Sequence, residues 1–437
     1  MQSLATKDFR VAIVGGGVSG LVCAIALQRA GVSVDIFEAA AAFNEIGAGL
    51  GLGPNAVRVL KAVGLLDELF KKINTAELRT RGFVYYYGVG EHERILAYEA
   101  LPEDKGVGIH RAAYLDALMA VVDSQSAHFN KRCISIVPSP TSPNRLLINF
   151  SDGTSHETDV VVGADGVKST VRDYLLDRGD KRVAFSNTVA YRGLIPYKDL
   201  QAAGFKTPVT QDPACFVGPS KVFVLLKHII IFPIKNGEII NVVAFSARYD
   251  IPIGSEELPK GTQWVEEVSR EVVEKEYEGW GPDVAVLMKC MPEKPNKWSI
   301  HVVHPPLDSY VKGRVALIGD AAHAMLPHLG AGAGQGVEDA YMLARLLSHP
   351  ETRAGNLTAV LDTYSRVRRP RAQMVWDGSR TAGASYDMQG AGSATLEGFR
   401  NELRTGFNPV WHHDIDVDVQ RAIDMLRASQ AFAIQSE

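Results

Sequence analysis

The chain opens on an apolar run, Val11 to Val14, too short for a helix and suited to a buried strand. Apolar positions from Val18 to Ala30 follow helical spacing, and Val32-Ser-Val-Asp-Ile-Phe37 returns to a strand pattern. Asp159 to Arg172 reads as a strand, an Asp-Gly turn and the start of a helix. Further on alternation dominates: Thr188 to Pro196, Lys221 to Pro233 and Glu238 to Ala247 each predict a strand. Within the second of these, Val222 to Phe232 is apolar enough for both faces to be covered. The pattern turns helical from Glu338 to Arg369, ends at Arg368-Arg369-Pro370, and is helical again towards Glu437. An α/β chain follows, with a strand-rich middle and a helical tail.

Glycines punctuate the first unit. Gly15 permits a tight turn after the strand, Gly17 lets the backbone approach a pyrophosphate, and Gly20 lets helix and strand pack closely. The helix N-terminus offers free N–H groups to phosphates. Glu38, closing the second strand, is placed to accept hydrogen bonds from an adenosine ribose. This unit alone fits any dinucleotide. About three hundred residues later comes Gly313-Arg-Val-Ala-Leu-Ile-Gly319-Asp320-Ala-Ala-His323, followed by the glycine-rich run Gly330 to Gly336. Together they predict one long cofactor, held at its adenosine end by the first segment and at its reactive end by the second.

With Asp165-Gly166 between them, these motifs make the chain resemble the single-component FAD-dependent aromatic hydroxylases (the para-hydroxybenzoate hydroxylase class), and within it most nearly the salicylate hydroxylases. The resemblance covers nearly the whole chain. It implies a discontinuous Rossmann-like FAD domain in residues 1–182 and 302–372. A mixed or antiparallel-sheet substrate domain, 183–301, would roof the flavin, and 373–437 would be a helical extension with a part in a homodimer contact. It also implies that Glu38 and Arg111 hold the adenosine and ribose, and that Asp320 binds the ribityl chain. Asp165 and Gly166 would lie near the pyrophosphate and the nicotinamide path, with a plain turn as their alternative. The helix opening near Ala333 and Gly334 would aim N–H groups at the flavin pyrimidine edge, where reduced flavin is negative.

The activity implied is hydroxylation of a phenolic carboxylate by NADH and O2 through a flavin C4a-hydroperoxide. Salicylate to catechol with loss of carbon dioxide is the favoured case, and 3-hydroxybenzoate or a larger phenolic natural product the alternative. NADH is preferred over NADPH by analogy only. Such chemistry needs an apolar enclosure, a base for the phenol and a cation or donors for the carboxylate. His328, between Pro327 and the glycine loop, is the first candidate base, against a structural loop histidine. His228, on the second middle strand, is the next, against a satisfied strand histidine. Arg81 and Arg192 are candidates for the carboxylate or for flavin contacts. Phe232 stands where relatives often have Tyr before a Pro, and Leu329 where they often have Gln. His323 reads as structural, holding the turn beside Asp320.

Other readings are weaker. An NAD-dependent dehydrogenase would leave Asp165-Gly166 and Gly319-Asp320 unexplained, and a flavin-binding sensor would need no oxygenase chemistry. A net charge of −4 leaves no basic surplus for nucleic acid, and no apolar stretch reaches membrane-spanning length. No signal peptide is read, since the apolar start is broken by glycines. Cys23, Cys133, Cys215 and Cys290 lack metal or disulfide spacing and fit reduced thiols in a cytoplasmic protein. No metal site is expected, and His412-His413-Asp414 reads as a solvated or interface loop. The Arg366 to Arg371 cluster reads as a solvated helix end.

Overall fold

A computed structural model describes residues 6–42, 49–73, 78–80, 82–176, 180–210, 212–218 and 226–433. Among them, two large sheets carry the architecture. The first runs in the order 311–312, 315–317, 160–163, 10–14, 33–37, 127–128, parallel except at its 311–312 edge. The strand Arg10–Val14 is central, so Val11, Ala12 and Ile13 are wholly buried and an unbroken apolar run is what the site requires. The helix Val18–Arg29 follows directly.

Two close approaches fix this layer. At Gly15, φ is +107° and a Cβ would lie 2.3 Å from the Ala164 carbonyl oxygen, so only glycine fits. Ser19, one turn on, sits between Gly319 and Gly336, whose added Cβ atoms would come within 2.5 and 2.0 Å of its Oγ. The N-terminal helix therefore packs on the distant helix Gly332–Ser348 through glycine contacts.

The second sheet is mixed, in the order 265–267, 296–303, 183–196, 239–247, 226–234, 214–218, 84–87, 94–97. Alternation sorts its faces. Ile229, Ile231, Ile240, Val242 and Ala244 form one core with the helices Arg270–Glu276 and Pro282–Cys290. The opposite face presents rows of paired residues: His228 beside Phe245, Phe245 beside Ala190, Ile230 beside Val243, Val243 beside Arg192, Phe232 beside Asn241. The strand predicted from Lys221 is observed as Leu226–Ile234, with 219–225 outside the described residues. The one predicted from Thr188 begins at Val183, its register shifting between Phe185 and Val189.

The tail is helical over 396–405, 408–411 and 415–428. The expectations for this region fail. The helical stretch expected from Glu338 to Arg369 is two helices, Gly332–Ser348 and Leu357–Tyr386, and the second runs across Pro370 instead of ending there. Pro370 and Arg366 are exposed, so the carbonyl that loses its partner faces water. The arginine cluster is not a solvated end either. Arg368 is fully buried, bonded to Asp339 at 2.8 Å and Glu338 at 2.9 Å, and buried Arg371 reaches Glu338 at 3.2 Å. Burial works against the Asp339 charge, yet His323 and Arg368 outweigh it and hold the carboxyl down at about 2.

Candidate active site

One continuous cavity of about 660 Å³ runs from the first sheet to the second. Gly15, Gly17, Glu38, Arg111, Asp165, Gly166, Asp320 and Ala333 line one stretch of it, and Arg192, Ile230, Phe232, Phe245, Trp298 and His328 another. Gly20 instead packs against the Gly15 carbonyl, and Gly334 stands against Asn55 and Ala56. A Cβ on Gly17 would meet no protein atom within 4 Å, so its Cα faces open space. Neither the Val18 helix nor the Gly332 helix has a side chain capping its N-terminus. Among the described residues, five basic side chains (Arg111, Lys131, Arg132, Lys168, Arg192) line the cavity against three acidic ones (Glu38, Asp165, Asp320). Uncapped helix starts, an open glycine and surplus positive charge suit a long anionic cofactor with a diphosphate.

The acids differ in what they do. Glu38 accepts from the Gly16 and Ala40 N–H groups, both at 2.8 Å, which fixes its carboxylate at the cavity wall. Asp165 accepts from Ser169 Oγ at 2.5 Å and from the Thr170 and Val171 N–H groups at 2.8 and 3.1 Å. It therefore anchors the start of the helix Thr170–Leu175, while burial pushes its carboxyl above the usual range. Gly166 turns at φ +76°. Asp320 is exposed at the start of the short helix Asp320–His323.

The apolar end is built by the second sheet's cavity face. His328 is buried beneath it, its ring 4.9 Å from that of Phe245. Its Nδ1 lies 3.1 Å from His228 Nε2, and its Nε2 has no hydrogen-bond partner among the described residues. Burial pushes the His328 pKa well down, and neighbouring His228 adds to this. His228 has no exposed surface and lies behind His328 rather than on the cavity wall. Arg192 holds its guanidinium 4.6 Å over the Trp298 ring, with Nε unpartnered among the described residues. Burial, and then the charge of Arg111, lowers it to about 10.

A family model for an FAD binding domain matches residues 8–189 and 257–379. The chain is 39% identical over 425 residues to salicylate hydroxylase of Pseudomonas putida, covering 94% of each. It belongs to the salicylate hydroxylase family of FAD-dependent monooxygenases. The enzyme is also 34% identical over 385 residues to 6-methylsalicylate 1-monooxygenase of Aspergillus terreus, covering 85% of this chain and 82% of that one. A solved salicylate hydroxylase substrate complex superposes with a TM-score of 0.82 at 31% identity, over 95% of this monooxygenase and 98% of that chain.

Sequence reasoning brought most of the flavoenzyme's wall together but missed part of it. Phe407 and Trp411, from the C-terminal tail, line the same cavity, and no local motif announces them. Asn241 binds the Gly49 N–H at 3.0 Å beside Phe232 and was detectable only as a polar break in an apolar strand. Phe232 and Leu329, the two departures, are both on the cavity wall. Arg81 lies outside the described residues. His323 bonds Asp339 at 2.6 Å, and the Gly319 N–H reaches the same oxygen at 2.9 Å, so this histidine holds the turn. His412 and His413 diverge to Asp104 and Asp418. Among the described residues no group of three or more His, Cys, Asp or Glu could hold a metal ion, and no helix is long and apolar enough to cross a membrane.

Proposed function

We propose that this monooxygenase takes electrons from NADH and hydroxylates salicylate to catechol with release of carbon dioxide. What supports the reading is the 39% identity over 94% of both chains to a salicylate hydroxylase, together with a histidine, His328, and a half-buried arginine, Arg192, on the wall of the apolar cavity end. FAD, when bound, supplies electron transfer from the nicotinamide and activation of oxygen. Glu38 and Arg111 would hold its adenosine half. The N–H groups around Ala333 would stabilise negative charge at the pyrimidine edge. Ile230, Phe232, Val243, Phe245 and Trp298 exclude water from the reacting end. Arg192 would attract the substrate carboxylate, its charge little screened where it is half-buried. His328, on the cavity wall, would take the phenol proton, which makes the ring electron-rich.

A second reading is a substituted salicylate, favoured by the similarity to 6-methylsalicylate 1-monooxygenase. The test mixes FAD-loaded enzyme with NADH and salicylate and counts catechol and carbon dioxide per NADH. Near-equal amounts support the reading. NADH consumed with hydrogen peroxide alone makes salicylate an effector, and no stimulation removes it as substrate.

A further inference from the structure

One side chain on the cavity wall goes against the pattern of its strand. Asn241 interrupts Ile239–Ala247, a strand otherwise made of Ile, Val, Ala, Phe and one Ser. It is 3% exposed and lines the cavity. An amide in an apolar wall is unfavourable unless its groups find partners.

Only half of this amide is paired. Oδ1 accepts from the Gly49 N–H at 3.0 Å. A backbone N–H can only donate, so the atom facing it must be the oxygen, and the NH2 is fixed on the other side. Nδ2 has no partner among the described residues and is not walled in, so it opens on the cavity. The approach is tight: a Cβ on Gly49 would lie 2.6 Å from Phe232 Cε2 and 3.0 Å from Asn241 Oδ1. A clip between the Gly49 strand and the second sheet accounts for the oxygen alone and leaves the donor unexplained.

The sheet register supplies a companion. Arg192 is paired with Val243, so Asn241, two residues before Val243, shares its face and stands diagonally from it, about 7–8 Å away. We propose that Asn241 is a substrate-binding residue. Its amide donates to the ring hydroxyl oxygen of a hydroxybenzoate whose carboxylate is drawn to Arg192. This rests on the reading of a phenolic carboxylate as substrate given above.

Two-point recognition follows. An arginine alone would hold benzoate as well as any hydroxybenzoate. The amide changes that, because benzoate leaves a donor unpaired in an apolar wall while a hydroxyl oxygen satisfies it. The bond strengthens as that oxygen gains negative charge, so the same N–H favours the phenolate over the phenol.

The experiment titrates FAD-loaded enzyme with benzoate, salicylate and 3-hydroxybenzoate by calorimetry, before and after Asn241→Leu. In the unaltered enzyme at least one hydroxy acid should bind about tenfold more tightly than benzoate, and in the variant that advantage should shrink to about twofold or less. Loss of a clip alone would weaken all three acids alike and keep the ratio, which would overturn the inference. Benzoate binding as tightly as both hydroxy acids in the unaltered enzyme would overturn it too. So would weakened FAD binding with the ratio intact, since the amide would then serve the flavin. A second measurement keeps the clip in place. In enzyme labelled with 15N-asparagine, the Asn241 side-chain amide is assigned by its absence in Asn241→Asp, which retains an acceptor for the Gly49 N–H. Its protons should move downfield on adding the preferred hydroxy acid and stay put with benzoate; protons that ignore both would count against the role. A preference for 3-hydroxybenzoate that depends on Asn241 would remove salicylate as substrate and leave Asn241 its part.

Discussion

Gly383 lies in the interior of the long helix, where alanine ordinarily stabilises by about 1 kcal/mol. Here the sign should reverse. A Cβ at this position would lie 2.4 Å from His328 Cδ2 and 2.6 Å from Nε2, whereas ordinary contact begins at 3.4 Å. The ring must therefore move by about 1 Å, and Phe245 on one side and His228 on another leave it little room. Overpacking of this kind costs about 1–3 kcal/mol, and loss of the 3.1 Å bond to His228 costs about 1 kcal/mol more. Against the helix gain, Gly383→Ala should destabilise by about 1–3 kcal/mol. It should also lower catechol formed per NADH, because the His328 ring on the cavity wall leaves its position. Urea unfolding of FAD-loaded enzyme measures the first effect, and product per NADH measures the second. A variant that is more stable by about 1 kcal/mol and fully coupled would show that His328 does not pack against this helix as described.

Other changes separate cofactor binding from folding. Gly17→Ala should leave apoprotein stability within about 0.5 kcal/mol, since its Cβ meets nothing, yet weaken FAD binding about tenfold by fluorescence titration. Gly20→Ala should instead destabilise the apoprotein by at least about 1 kcal/mol, because its Cβ would sit 2.1 Å from the Gly15 carbonyl oxygen. Arg368→Met should cost about 3–5 kcal/mol in denaturant unfolding, leaving Glu338 and Asp339 buried without their main partner. Asp339 sets an acid limit. Its folded pKa lies below the unfolded value of 3.8, so its contribution is full above about pH 4 and is lost as pH falls through about 2. That contribution is about 2 kcal/mol, and acid unfolding followed by circular dichroism should show it missing in Asp339→Asn.

The parts of the fold that could be read from sequence are those written locally. A central parallel strand needs a continuous apolar run, its turn needs Gly15, and both sit within the first twenty residues. The middle strands announced themselves by alternation, and that same alternation placed His228, Ile230 and Phe232 on one face. What escaped depends on partners far along the chain. Arg368 looks solvated until Glu338 and Asp339 are brought to it across the helix pair. Pro370 looks like a stop until its exposed face shows that water can serve the freed carbonyl. Asn241 reads as a stray polar break until the Gly49 N–H, 192 positions away, is brought to its oxygen.

The strand order of the first sheet has a consequence for how a ribosome delivers this protein. Residues 160–163 are flanked by 10–14 on one side and by 315–317 on the other, and the first helix docks on glycines at 319 and 336. The segment around residues 10–14 thus waits for one made about three hundred residues later before its layer can close. The second sheet draws its long strands from 183–303 and can assemble first. Chains released before about residue 348 would carry an intact fingerprint with nothing to pack against, exposing Val11 to Val14 and the helix after it. Cofactor capture is then a late event, and truncated products become clients of chaperones and proteases.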